Sequence, residues 1–111
     1  MVWAPVANNS SAVERGSEGG FVLRDEEHSA GARITLERDC SNGVPFAITC
    51  GIYGWFFHTR FLGPEANAEY TLMQGAIEDL IALIPSVDDP AVDAKMNATS
   101  QAIGDFVIRF P

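Results

Sequence analysis

Two cysteines and two histidines are the side chains best suited to metal or nucleophilic chemistry: Cys40, Cys50, His28 and His58. Thiolates and imidazoles are the usual ligands of tetrahedral zinc, but the short C-x-x-C spacing of a zinc site is missing and each histidine stands alone. A Cys50–His58 nucleophile pair needs both side chains on one side of a sheet. The predicted strand register places Cys50 toward the core and His58 on the opposite face. We therefore expect no metal site, no catalytic cysteine and no cofactor.

Neighbouring carboxylates occur at three places and could in principle supply a general acid and a general base. Catalysis needs carboxylates that converge on one cleft and differ in pKa. Glu26-Glu27 instead ends a predicted strand, Glu78-Asp79 lies on the polar side of a predicted helix, and Asp88-Asp89 precedes another helix. No glycine-rich phosphate loop and no Gly-x-Ser-x-Gly motif is present. The sequence favours a non-catalytic protein over an enzyme and indicates no catalytic residue.

One face of the predicted sheet combines an exposed aromatic residue with several of the few cations in the chain. We identify Arg33, Glu37, Phe56, His58 and Arg60 as a candidate binding surface for a partner or a small anion. The simpler interpretation is a solvated face whose cross-strand charge pairs contribute little. The sequence leaves both interpretations open.

β-Branched and aromatic residues alternate between closely spaced turn signals over residues 21–62, which is typical of an antiparallel meander. Four strands are predicted, at 21–27, 32–40, 44–52 and 55–62.

The apolar positions determine the predicted register, because a slip of one residue sends every side chain to the other face. A three-residue loop at 41–43, with Gly43 left-handed, gives the pairs Leu36–Ile48, Ile34–Cys50 and Ala32–Ile52. A two-residue turn at 53–54 gives the pairs Ile52–Trp55, Cys50–Phe57, Ile48–Thr59 and Phe46–Phe61. In the first hairpin, Arg33 is expected opposite Glu26. One face is then apolar and needs a cover.

Two helices are predicted to supply that cover. The first runs from Pro64 to Ile84, with apolar residues at spacings of three and four. The second follows the capping sequence Asp88-Asp89-Pro90. Gly104 leaves two alternatives for residues 105–110, a continued helix, which we favour, and a fifth strand. The predicted fold class is α+β, a four-stranded antiparallel meander followed by two helices on one face of the sheet.

The first predicted helix has a wider apolar sector than one contact with a sheet requires. Leu72, Ala76 and Leu83 form an adjoining stripe, which a second helix or a second subunit should cover. We identify this stripe as a candidate oligomer contact, most simply in a two-fold symmetric dimer.

Residues 1–20 are rich in Ala, Asn, Ser, Glu and Gly and show no periodicity. We expect a disordered or loosely attached arm before a single domain at 21–111. The first residues lack the basic and apolar regions of a secretory signal, and no apolar run approaches the length of a membrane span. These features predict a cytoplasmic protein without membrane contact.

The formal charge of −8, from 15 acidic and 7 basic residues, repels nucleic acid and anionic lipid. It would also speed an encounter with a basic protein. The favoured hypothesis is a small non-catalytic interaction module that forms a homo-oligomer. The alternatives are a small-ligand-binding protein or enzyme that uses the polar sheet face, and an acidic inhibitor or immunity-type protein that binds a basic partner.

Overall fold

A computed structural model describes residues 3–6 and 15–111 of the 111-residue chain. In chain order its elements are β1 (Trp3–Pro5), β2 (Phe21–His28), β3 (Ala32–Arg38), β4 (Phe46–Ile52), β5 (Phe56–Leu62), α1 (Ala66–Leu83) and α2 (Val92–Arg109). A short 3-10 turn at Ser41–Gly43 joins β3 to β4. The predicted α+β class is confirmed.

The strands form one antiparallel sheet in the order β1-β2-β3-β4-β5, so the predicted meander of four strands is present. The fifth strand comes from the N-terminus, where Trp3 pairs with His28 and Pro5 with Glu26. The C-terminal alternative of a fifth strand is wrong, because α2 continues through Gly104 to Arg109.

The predicted register of the β3–β4 hairpin is confirmed: Leu36 pairs with Ile48, Ile34 with Cys50 and Ala32 with Ile52. The loop between the strands has Gly43 at a φ of 74°, the left-handed conformation that the prediction required.

The predicted register of the β4–β5 hairpin is wrong by one residue. Gly54 has a φ of 84°, and the Trp55 amide donates to the Ile52 carbonyl at 2.9 Å, so the turn contains Trp55 as a third residue. Ile52 therefore pairs with Phe56 instead of Trp55, and Cys50 pairs with His58.

This shift exchanges the two faces of β5. We call the side of the sheet that carries the helices the inner face and the opposite side the outer face. On β5, Phe56, His58, Arg60 and Leu62 belong to the inner face with Ile48 and Cys50, while Phe57, Thr59 and Phe61 belong to the outer face.

The predicted pairing of Arg33 with Glu26 is also wrong, because the loop between β2 and β3 has three residues, 29–31, and His28 pairs with Ala32. An irregularity between Val22 and Arg24 shifts the register only further from this turn. Arg33 pairs with Glu27, and Glu26 turns to the inner face, where the Tyr70 hydroxyl donates to its carboxylate at 2.8 Å.

The inner face and the two helices enclose the core, as predicted. Helix α1 packs against β3 and β4, and α2 packs against α1. The buried residues of α1 are Ala66, Tyr70, Met73, Ile77 and Leu80, and α2 adds Phe106, followed by Phe110. Neither helix in the described ranges is both long and apolar enough to span a membrane.

The N-terminal region that was predicted to be a loose arm lies partly outside the described residues, at 1–2 and 7–14. Its described parts contact the domain. Trp3 donates from its indole nitrogen to Glu78 at 2.6 Å, and residues 15–20 lie on the outer face beside Glu37.

Candidate interaction surface

The five residues of the candidate binding surface do not form one surface. Arg33 and Glu37 belong to the outer face, whereas Phe56, His58 and Arg60 belong to the inner face. The β4–β5 register separates them, and each of the three inner residues contacts the helical layer.

The inner residues of β5 hold the C-terminal end of α2 and the start of α1. A ring nitrogen of His58 is hydrogen-bonded to the carbonyl oxygen of Phe110. The guanidinium of Arg60 donates to Glu69 at 2.7 Å and to the Pro111 carbonyl at 3.3 Å. Only 11% of the Arg60 side chain is exposed. His58 and Arg60 are therefore engaged within the domain.

Glu37 is fully buried and fixes the chain segment at residues 15–20. Its Oε1 atom accepts hydrogen bonds from the backbone amides of Glu18 at 3.1 Å and Gly20 at 3.0 Å. A β-carbon on Gly16 would lie 2.1 Å from the Glu37 carboxyl carbon, so glycine is needed at this close approach. The segment thereby covers one part of the outer face.

A groove of about 260 Å³ lies beside this segment on the outer face. Arg33 forms its charged wall and donates two hydrogen bonds to Asp25, at 2.9 and 2.6 Å. The hydrogen bond with Asp25 raises the pKa of Arg33 despite the opposing effect of burial. The Thr35 hydroxyl donates to the same carboxylate at 3.1 Å. Asp25 is therefore already paired with Arg33, the cation of the candidate surface in this groove. Arg15 also lines the groove and donates to the Gly19 carbonyl at 2.9 Å.

Two phenylalanines of β5 dominate the uncovered part of the outer face. Phe57 and Phe61 are each 57% exposed, and Thr59 lies between them. Across the hairpin they oppose Gly51 and Ala47, two small residues that leave room for the rings. A β-carbon on Gly51 would lie 2.5 Å from a ring atom of Phe57. Small residues opposite aromatic ones are the sequence signal that could have identified this surface.

The candidate oligomer stripe on α1 is divided between open surface and the contact with α2. Leu72 is 49% exposed and Leu83 is 44% exposed. Ala76 and Leu83 line a groove of about 210 Å³ between the helices, together with Phe106 of α2. Ala76 and Leu83 thus face the second helix across this groove, while Leu72 lies on open surface.

The structure changes the argument about Cys50 and His58. They are cross-strand neighbours on the inner face, so the prediction that they lie on opposite faces is wrong. Cys50 is 1% exposed, and burial raises the pKa of its thiol to about 12 despite the nearby Arg60 cation. A neutral thiol without solvent access is a poor nucleophile. This pair therefore lacks the properties of a catalytic dyad.

Within the described ranges, no group of three or more His, Cys, Asp or Glu side chains is arranged to hold a metal ion. Cys40 and Cys50 are both buried free thiols. The uncovered part of the outer face along β5 is an exposed aromatic surface available to a partner, and α2 exposes further apolar side chains, among them Ile108 at 79%.

Comparison with other proteins leaves this surface as the main guide to function. No protein family, no curated protein and no solved structure matches the chain.

Proposed function

We propose that the protein is a non-catalytic interaction module that forms a homodimer along β5, with the exposed rings of its outer face at the contact. The observation that carries this proposal is the exposure of Phe57 and Phe61 on the same face of the edge strand β5, with Thr59 between them. Aromatic residues are enriched in protein interfaces relative to the rest of the surface, so two of them on one exposed face support a contact here.

The area of the two rings is suited to the centre of an interface. A Phe side chain buries roughly 150–250 Å² when it is fully covered. At 57% exposure each ring still offers roughly 85–140 Å², so four rings could bury at most about 340–560 Å² in a dimer. A standard interface buries about 1,200–2,000 Å² in total. The rings would supply its hydrophobic centre, and surrounding backbone and side chains would supply the rest.

The charge distribution also favours self-association at this place. Two copies of a chain with a charge of −8 repel each other at long range. Residues 40–64, which include β4 and β5, contain none of the 15 acidic residues. The hairpin is therefore the region where a second copy can approach with the least repulsion.

Sedimentation velocity over a range of protein concentrations tests the proposal. A double variant, Phe57→Lys with Phe61→Lys, should sediment as a folded monomer at concentrations where the wild-type protein is a dimer. The matched variant, Leu72→Glu with Leu83→Glu, alters exposed apolar residues on α1 and should remain a dimer. Circular dichroism verifies that both variants are folded.

Three results would contradict the proposal: a monomeric wild-type protein at all concentrations, a dimeric Lys variant, or loss of the dimer only in the α1 variant. The third result would restore the stripe of Leu72, Ala76 and Leu83 as the oligomer contact.

A second candidate function is the binding of a basic protein by the helical layer. Residues 63–111 carry eight acidic residues against two basic ones. Asp79 and Asp105 line the groove between the helices beside the apolar side chains of Leu80 and Phe106, and Arg109 is the one basic residue among the described residues of its lining. Such an arrangement suits a basic side chain with an aliphatic stem.

Titration with an octalysine peptide at low and high salt tests this second candidate. The affinity should fall steeply with salt and fall further in a variant with Asp79→Asn and Asp105→Asn. A control, Glu27→Gln, removes an exposed carboxylate from the other side of the sheet and should bind normally. Equal weakening in both variants would indicate general electrostatic attraction and would contradict a specific site.

A further inference from the structure

The two edges of the sheet differ in how they are protected. The edge at β1 is three residues long and contains Pro5, and both features discourage pairing with another strand. The edge at β5 is seven residues long and contains no proline. Within the described residues, no strand pairs with its outer side. A long free edge of this kind is a template for strand addition.

The sequence of β5 reads alike from both ends in the chemical class of its residues. It runs Phe56-Phe57-His58-Thr59-Arg60-Phe61-Leu62, which is apolar, Phe, basic, Thr, basic, Phe, apolar. A two-fold axis places each residue of a strand opposite its mirror position in the partner strand. This symmetry of classes favours a second copy of the chain over an unrelated strand.

We infer that two copies pair antiparallel along β5, with Thr59 opposite Thr59 of the partner subunit. The inference rests on the proposed homodimer and specifies its register. All seven residues of each strand are then paired, and the two sheets form one continuous ten-stranded sheet. Phe57 lies opposite the partner's Phe61, so the four exposed rings meet in two pairs on the outer face.

Other registers are less favourable. Opposed residues must point to the same face, so the strands can slide only in steps that keep odd positions opposite odd positions. Sliding the symmetric pairing by one such step places Thr59 opposite the partner's Phe57 or Phe61 and moves the other ring opposite a residue outside β5, Trp55 or Gly63. It also leaves two strand residues unpaired in each copy.

On the inner face, the chosen register places His58 opposite the partner's Arg60. Arg60 is already paired with Glu69, and His58 is hydrogen-bonded to the Phe110 carbonyl. The basic side chains are therefore held by groups of their own subunit, which limits repulsion across the axis.

Disulfide trapping in the full chain tests this register. In the Thr59→Cys variant, the two introduced thiols lie on directly opposed residues, whose Cα atoms are about 4.5–5.5 Å apart in an antiparallel pair. This distance permits a disulfide. In the matched Phe57→Cys variant, the two thiols are separated by four residues along the strands, about 13 Å, which is too far. The native cysteines are buried, and oxidised wild-type protein is the control for them.

After mild oxidation, non-reducing electrophoresis should show most of the Thr59→Cys protein as a covalent dimer and little of the Phe57→Cys protein. A dimer in sedimentation that yields no covalent dimer from Thr59→Cys, or yields it equally from Phe57→Cys, would overturn the register and leave the homodimer standing. Wild-type protein that sediments as a monomer would overturn the register and the proposed function together.

Discussion

Replacing Glu37 by Leu tests how the outer face is built next to the proposed interface. Glu37 is fully buried, and its carboxylate is the acceptor for the amides of Glu18 and Gly20. Leucine occupies a similar volume but offers no acceptor. The variant therefore leaves one buried and one partly buried backbone donor, at Gly20 and Glu18, without this acceptor.

The expected loss can be worked from these two hydrogen bonds. A buried donor without a partner costs roughly 1–3 kcal/mol, so two donors give an upper range of roughly 2–6 kcal/mol. The segment at 15–20 can leave the sheet and expose its amides to water, which limits the loss. We expect the free energy of unfolding to fall by about 2–3 kcal/mol in the Leu variant. Glu37→Gln keeps one acceptor oxygen and should lose about half as much.

Urea unfolding at one fixed protein concentration measures this loss, because the stability of an oligomer depends on concentration. Limited trypsin digestion measures the release of the segment, since cleavage after Arg15 should accelerate in the order wild type, Gln variant, Leu variant. The control Asp88→Asn removes an exposed carboxylate and should change the free energy by less than about 0.5 kcal/mol. A Leu variant within about 0.5 kcal/mol of wild type, or unchanged cleavage after Arg15, would refute the role assigned to Glu37.

Three further predictions concern the sheet and its helical cover. Gly51→Ala should lower the free energy of unfolding, measured in urea, by about 1–3 kcal/mol, because a β-carbon there would lie 2.2 Å from a backbone oxygen of β5. The matched variant Gly75→Ala places its β-carbon in open space on α1 and should raise the free energy of unfolding by about 0.5–1 kcal/mol. His58→Ala removes the hydrogen bond to Phe110, so amide hydrogen exchange should quicken in the last turn of α2 and hardly change elsewhere. An equal increase of the exchange rate throughout the chain would contradict the role of His58 in holding the end of α2. Burial raises the pKa of Cys50 to about 12. The native state thus holds the thiol proton more tightly than the unfolded chain, and the free energy of unfolding should fall as pH rises from about 8.5 toward 12. The Cys50→Ala variant should lack this part of the pH dependence. A variant whose free energy of unfolding changes with pH as the wild-type value does would contradict the prediction.

The elements that the sequence predicts correctly are those with one consistent pattern. In the β3–β4 hairpin, apolar residues coincide on one face only when the loop has three residues, and Gly43 can adopt the left-handed conformation that this loop needs. In α1, Tyr70, Met73 and Ile77 repeat at helical spacing and are all fully buried. Pattern and turn chemistry agree in both cases.

The register of β5 could not be predicted because both of its faces carry large apolar residues. Phe56 and Leu62 belong to one face, and Phe57 and Phe61 belong to the other. Either register therefore places aromatic side chains toward the core, and the hydrophobic pattern does not choose between them. The choice depends on whether Trp55 belongs to the turn, which is a matter of backbone geometry.

The candidate binding surface was affected by the same ambiguity. Once β5 shifts by one residue, His58 and Arg60 become internal anchors, and Phe57 and Phe61 take the exposed positions. One signal in the sequence was independent of register, namely the absence of acidic residues over 40–64 in a strongly acidic chain. It points to the β4–β5 hairpin as the region where a like-charged copy can approach.

Mixing two charge-altered proteins tests the central claim most directly. One variant carries Phe57→Lys and Phe61→Lys, and the other carries Phe57→Glu and Phe61→Glu. In the proposed dimer each position 57 faces the partner's position 61, so like charges should keep each variant monomeric, while opposite charges should restore pairing. Native mass spectrometry is expected to show monomers of each variant alone and a mixed dimer after combination. Dimers of either variant alone, or no mixed dimer from two folded monomers, would contradict a homodimer formed along β5.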